Sequence, residues 1–93
     1  MVYRLILCFT FLSSFTQAQY YLRGEIKDDK NNPLSYVRIY MHSTGSFYYS
    51  GSSGSFGIPS AIKSDSATLS LNSFQTKTIA LTDGQYAYVE LVP

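Results

Sequence analysis

One histidine, a scatter of serines and a short run of carboxylates and amides are the groups with which this chain of 93 residues could do chemistry. A hydrolase needs a nucleophile beside a base that an acid orients. His42 is the single imidazole. It closes the stretch L-S-Y-V-R-I-Y-M-H, whose alternation sends it to the same side as Arg38 and Tyr40. Gly51-Ser52-Ser53-Gly54 has the composition of a nucleophile elbow without its Gly-x-Ser-x-Gly order or its strand-to-helix setting. His42 is therefore read as a solvated strand histidine. A phosphate loop fails on the same inspection, because Ile62 stands before Lys63-Ser64 where the motif needs glycine, and Pro59 interrupts the approach. One histidine, and one cysteine at Cys8, supply no ordinary zinc site. Asp28, Asp29, Asn31 and Asn32 offer oxygens, but not with the spacing or the bidentate glutamate of a calcium loop. They read as a polar turn. No catalytic, cofactor-binding or metal-binding residue is expected, and no cofactor.

The elements that would carry these residues are strands. Val37, Ile39 and Met41 alternate with Tyr36, Arg38, Tyr40 and His42, the period of a half-buried strand. The same alternation recurs at Leu69 and Leu71, at Ile79 and Leu81, and at Ala87, Val89 and Leu91. Between these runs stand turn signals: Asp28 to Pro33, Gly51 to Gly54, Lys63 to Ser66 and Thr82-Asp83-Gly84. Seven strands are predicted, over residues 20–27, 34–43, 47–50, 55–58, 67–74, 76–81 and 86–92. The third and fourth are predicted to form a hairpin reversing at Gly51 to Gly54, with Phe56 and Ile58 on one face. Short strands with frequent turns predict an all-β fold, a small seven-stranded antiparallel sandwich of the Greek-key type.

Residues 1–18 read as a secretory signal peptide: Arg4 supplies the positive start, residues 5–15 are largely apolar, and Ala18 gives a small residue for cleavage. The apolar run is too short to span a bilayer. Cys8 follows the bulky Leu7, which does not suit a lipid-anchored cysteine. Residues 19–93 then form the mature domain, without cysteine and without a transmembrane helix. Seven Lys and Arg, one of them Arg4 in the leader, against six Asp and Glu leave that domain formally neutral. Neutrality excludes the concentrated positive field that nucleic acid or an anionic membrane requires. With no disulfide to staple it, so small a domain relies on one well-filled core.

Three stretches in order carry a resemblance: Gly24-Glu25-Ile26-Lys27-Asp28, then Asn32-Pro33-Leu34-Ser35-Tyr36-Val37-Arg38-Ile39, then Gly51-Ser52-Ser53-Gly54-Ser55-Phe56-Gly57-Ile58. Together they resemble the carboxypeptidase regulatory-like domain, a transthyretin-like β-sandwich found at the N-terminus of many TonB-dependent outer-membrane receptors. Ser70-Leu71-Asn72-Ser73-Phe74 sits where that family has Ser-x-x-Gly-Tyr, with Ser73 in place of the glycine. Ser50-Gly51 replaces the family's Thr-Asp, and Val89-Glu90-Leu91 matches its closing strand. The resemblance implies a noncatalytic accessory or interaction module of the cell envelope, exported to the periplasm or outer membrane and associated with receptor-type nutrient uptake. Its partners would be envelope proteins or a downstream receptor domain. A secreted structural, adhesive or carbohydrate-binding sandwich is the alternative.

Aromatics mark the candidate surface. Tyr36, Arg38 and Tyr40 are expected on one face of the second strand, and Tyr86 and Tyr88 on one face of the last. Three roles are open to them: cross-strand packing, a protein contact, for which tyrosine and arginine are favoured, and stacking against sugar rings.

Overall fold

In the computed structural model, which describes residues 19–93, the predicted alternation becomes seven strands: β1 (Tyr20–Asp28), β2 (Arg38–Met41), β3 (Phe47–Tyr49), β4 (Ser55–Ser60), β5 (Ser64–Ser70), β6 (Lys77–Thr82) and β7 (Ala87–Leu91). The proposed signal peptide lies outside the described residues. Two sheets form, a three-stranded one ordered β4-β1-β7 and a four-stranded one ordered β3-β2-β5-β6. The small seven-stranded sandwich expected from sequence is thus present, and its strand order is consistent with a transthyretin-like topology. Four of the strand pairings are antiparallel. The exception joins the first strand to the last: β1 and β7 run parallel, Gly24 opposite Ala87 through Asp28 opposite Leu91. Parallel neighbours need a long connection, and here all of β2 to β6 provides it.

The core lies between the sheets. Leu22 and Ile26 from β1, Ile39 and Met41 from β2, Ile58 from β4, Leu69 from β5, Leu81 from β6 and Leu91 from β7 are buried, each on the inward phase of its strand. Each aliphatic side chain fully removed from water contributes about 1.5–3 kcal/mol. A one-residue slip of any strand would exchange that set for its polar neighbours, so the alternation fixes the register.

The expected hairpin of residues 47–50 and 55–58 does not form. β3 pairs with β2 in one sheet, and β4 pairs with β1 in the other. Gly51 to Gly54 still reverses the chain, with the Gly54 amide donating to Gly51 O at 2.9 Å, but the reversal carries it from sheet to sheet. Gly54 has φ of +79°, and a Cβ there would lie 2.5 Å from Ile26 O. Only glycine fits a left-handed residue pressed onto a strand backbone.

A second crossing runs beside the first. Strand β2 starts later than the predicted residue 34, because Pro33 and Leu34 still belong to the edge of β1: Lys27 bridges Pro33, and the Leu34 amide donates to Ile26 O at 3.0 Å. On the other crossing, Gly54 O accepts from the Ile26 amide at 2.8 Å. Both crossings thus hang on one residue of β1. Tyr36 takes a left-handed φ of +60° and turns the chain into β2.

Candidate functional site

The five aromatic and basic residues singled out in the sequence divide between opposite sheets. Arg38 and Tyr40 lie on the solvent face of the four-stranded sheet, since their neighbours Val37, Ile39 and Met41 all point inward. Tyr36 is exposed at the approach to that face, outside the strand, so its placement follows from its left-handed backbone and not from alternation. Tyr86 and Tyr88 are on the outer face of the three-stranded sheet, Tyr86 just before β7 begins.

Sequence reasoning missed two members of the first group. The β2–β3 register sets Arg38 opposite Tyr49 and Tyr40 opposite Phe47. Phe47 and Tyr49 are both exposed. The Arg38 guanidinium lies over the Phe47 ring, 4.1 Å from its centroid, a cation–π geometry. The Tyr40 ring meets Phe47 at 5.0 Å and His42 at 5.6 Å, tilted in both cases. An open trough of about 470 Å3 is lined by Arg38 together with Tyr36 and Phe74. A signal was present in the sequence, since Phe47-Tyr48-Tyr49 alternates in phase with Tyr40 and Arg38, but it becomes legible only once β3 is known to pair with β2.

The rest of this face is hydroxylic. His42 Nε2 meets Thr68 Oγ1 at 2.6 Å, and Thr68 Oγ1 meets Thr78 Oγ1 at 3.0 Å. The imidazole is tied into a ladder of hydroxyls across β5 and β6; it is exposed as expected, but it stands in the turn just after β2 and not on the strand. Outward positions of β5 and β6 are filled by serine, threonine and Ala80. No carboxylate stands on them.

The other aromatic pair is differently placed. Tyr86 and Tyr88 meet edge-to-face at 5.0 Å. Tyr86 OH donates to Glu25 Oε1 at 3.2 Å, and Glu25 Oε2 is 3.3 Å from Lys27 Nζ. Desolvation, then the Glu25 charge, pushes the Tyr86 phenol above its ordinary value. Tyrosines, carboxylate and lysine thus complete one another on the surface of β1 and β7.

Asp28 has a structural task. Its Oδ1 accepts the amides of Asn32 at 2.8 Å and Lys30 at 2.9 Å. The Asn32 amide is the largest influence holding its carboxyl below the usual carboxylate value. With Asn31 left-handed at φ +68°, this is the polar turn expected from sequence. Among the described residues no group of three or more His, Cys, Asp or Glu gathers where it could share a metal ion.

No family model matches the chain, and no curated protein matches it. The molecule is a small β-sandwich domain. Among the described residues no helix is long and apolar enough to cross a membrane.

Proposed function

We propose that residues 19–93 act as a noncatalytic interaction module of the cell envelope, working beside a TonB-dependent receptor in nutrient uptake. The observation that carries this reading is the outer face of β2 and β3, where Arg38 is stacked on Phe47 between Tyr40 and Tyr49. Arginine and tyrosine are enriched among residues that dominate protein contacts, and rigid aromatic neighbours reduce the entropy lost when such an arginine is engaged. The leader pattern of residues 1–18 and the resemblance in Gly24-Glu25-Ile26-Lys27-Asp28 and the segments after it support the envelope setting.

The test combines fractionation with photocrosslinking in cells that make the full chain, using a photoreactive phenylalanine at position 49. The expected result is retention in the envelope fraction and an adduct with an outer-membrane receptor, lost when Arg38→Ala is added. Release of the protein into the medium without a protein adduct would overturn the proposal in favour of a secreted carbohydrate-binding or adhesive domain.

A further inference from the structure

Four strands form the edges of the two sheets: β4 and β7 in one, β3 and β6 in the other. An edge strand exposes backbone donors and acceptors to any chain that can pair with them unless something blunts it. Strand β4 carries Pro59. The β7 side is covered at its end, where the Gln75 amide donates to Val92 O at 2.8 Å and Lys77 Nζ to Glu90 O at 3.2 Å. Lys77 also opens β6 with a charge. Strand β3 has no proline and no charged residue, and reads Phe47-Tyr48-Tyr49.

The hydrogen-bonding phase of β3 follows from its flanks. The Met41 amide donates to Ser46 O at 2.9 Å and the Ser50 amide to Val37 O at 3.0 Å. In an antiparallel ladder bonded pairs recur at every second residue, so Ile39 and Tyr48 bond each other. The amides and carbonyls of Phe47 and Tyr49 therefore face away from β2, toward an edge that no other strand covers among the described residues.

Charge selects the occupant. Among the described residues the ion pair is Lys27 with Glu25, on the other sheet. Arg38 is held instead by the Phe47 ring, which places its guanidinium above the edge strand itself. A strand added beside β3 would lie about 4.8 Å away, within reach of that group. The outward positions of the sheet offer no acid to compete.

We propose that the β3 edge is a strand-addition site for an extended acidic peptide segment of a partner protein, which pairs with the backbone of Phe47 and Tyr49 and sets a carboxylate against Arg38. This rests on the interaction-module reading and gives it a mechanism, backbone pairing for affinity and one side-chain contact for selection. A second copy of the chain fits less well, since β3 against β3 would bring two Arg38 side chains together without a counter-charge.

The test titrates the isotopically labelled protein with two end-blocked peptides, Thr-Val-Glu-Val-Thr and Thr-Val-Lys-Val-Thr, followed by amide resonances and hydrogen exchange. The expected result is perturbation centred on residues 46–50, slowed exchange at Phe47 and Tyr49, and about threefold preference for the glutamate peptide, the scale of an exposed ion pair. Added salt should shrink the preference, and Arg38→Glu should reverse it while the protein keeps its wild-type spectrum elsewhere. Equal response to both peptides, perturbation centred on β6 or β7, the same perturbation with maltohexaose, or concentration-dependent dimerisation through residues 46–50 would each overturn it. Failure here with the cellular adduct at position 49 intact removes strand addition alone. Loss of the adduct with the peptide preference intact removes the envelope reading alone.

Discussion

Replacing Ser50 by alanine should be among the most damaging single-atom changes in the domain. Ser50 is buried, and its hydroxyl makes two bonds to backbone: Oγ accepts from the Val37 amide at 2.9 Å and donates to Leu34 O at 2.8 Å. Its own backbone contributes two more, with the amide on Val37 O and the carbonyl accepting from Tyr36 at 3.0 Å. The side chain thus holds the two sheet crossings, residues 33–37 and 50–54, against each other. Alanine keeps the backbone bonds but strands the Val37 amide and one lone pair of Leu34. A buried polar group without a partner costs about 1–3 kcal/mol, so the change should cost about 2–4 kcal/mol. A domain of this length has about 4–11 kcal/mol in all at 0.05–0.15 kcal/mol per residue. The melting temperature should fall by about 8–32 °C, taking about 4–8 °C per kcal/mol for a domain of this size. Thermal unfolding by circular dichroism measures it. The control is Ser53→Ala, whose hydroxyl meets only the exposed Ser55 hydroxyl at 2.8 Å and should change stability by less than about 0.5 kcal/mol. Equal melting of the two variants would refute the clamp.

Three further outcomes follow from single residues. Ser73 holds φ at +76° in the β5–β6 turn, so Ser73→Gly should relieve left-handed strain and stabilise by about 0.5–1 kcal/mol, read as a rise in denaturant midpoint. Gly24→Ala should destabilise by more than about 2 kcal/mol in the same assay, since a Cβ would come within 2.5 Å of Ala87 O and 2.7 Å of the Phe56 ring where β1 meets β7. The Tyr86 phenol, raised by desolvation and by Glu25, favours the folded state while it stays protonated. That contribution is present below the ordinary tyrosine range and is lost as pH rises through the raised folded value. In Glu25→Gln an ultraviolet titration should find Tyr86 ionising at lower pH than in the wild type.

The strands were legible in the sequence because burial writes itself locally: Ile39 and Met41, or Val89 and Leu91, alternate with exposed neighbours inside one run. Pairing was not, because a turn signal says that the chain reverses and not which sheet it joins. Gly51-Ser52-Ser53-Gly54 reads identically for a hairpin and for a crossing. What decides is the grip of Ser50 on Leu34 and Val37 and of Gly54 on Ile26, contacts with residues 13 to 28 positions away. Tyr36 was placed on a strand face because nothing in its type announces a left-handed backbone. The candidate surface was accordingly half legible. Arg38 and Tyr40 could be paired by alternation, while Phe47 and Tyr49 entered only through the β2–β3 register. Ser73 is the reverse case, a serine in the left-handed conformation that glycine adopts without strain.

The two aromatic faces differ in what they leave over, and that difference can be measured. On β1 and β7, Tyr86 donates to Glu25, Glu25 pairs with Lys27, and Tyr88 closes edge-on against Tyr86. The polar groups of Tyr86, Glu25 and Lys27 thus find partners within the domain, and packing suffices to explain the pair. On β2 and β3, Arg38 is positioned by an aromatic ring and not by an acid, which keeps its guanidinium donors oriented without consuming them. A partner would find there an exposed charge already seated on an aromatic ring. Alanine at Tyr86 and Tyr88 should therefore lower the melting temperature by a few degrees, in line with cross-strand pairs of about 0.2–1 kcal/mol, and leave the position-49 adduct in place. Alanine at Tyr36 and Tyr40 should have the opposite profile, because Tyr40 supports Phe47 under Arg38 and Tyr36 lines the trough that Arg38 also lines. If both pairs change only the melting temperature and the adduct survives both, the tyrosines of β2 and its approach are packing alone, and recognition has to come from Arg38 and the β3 backbone.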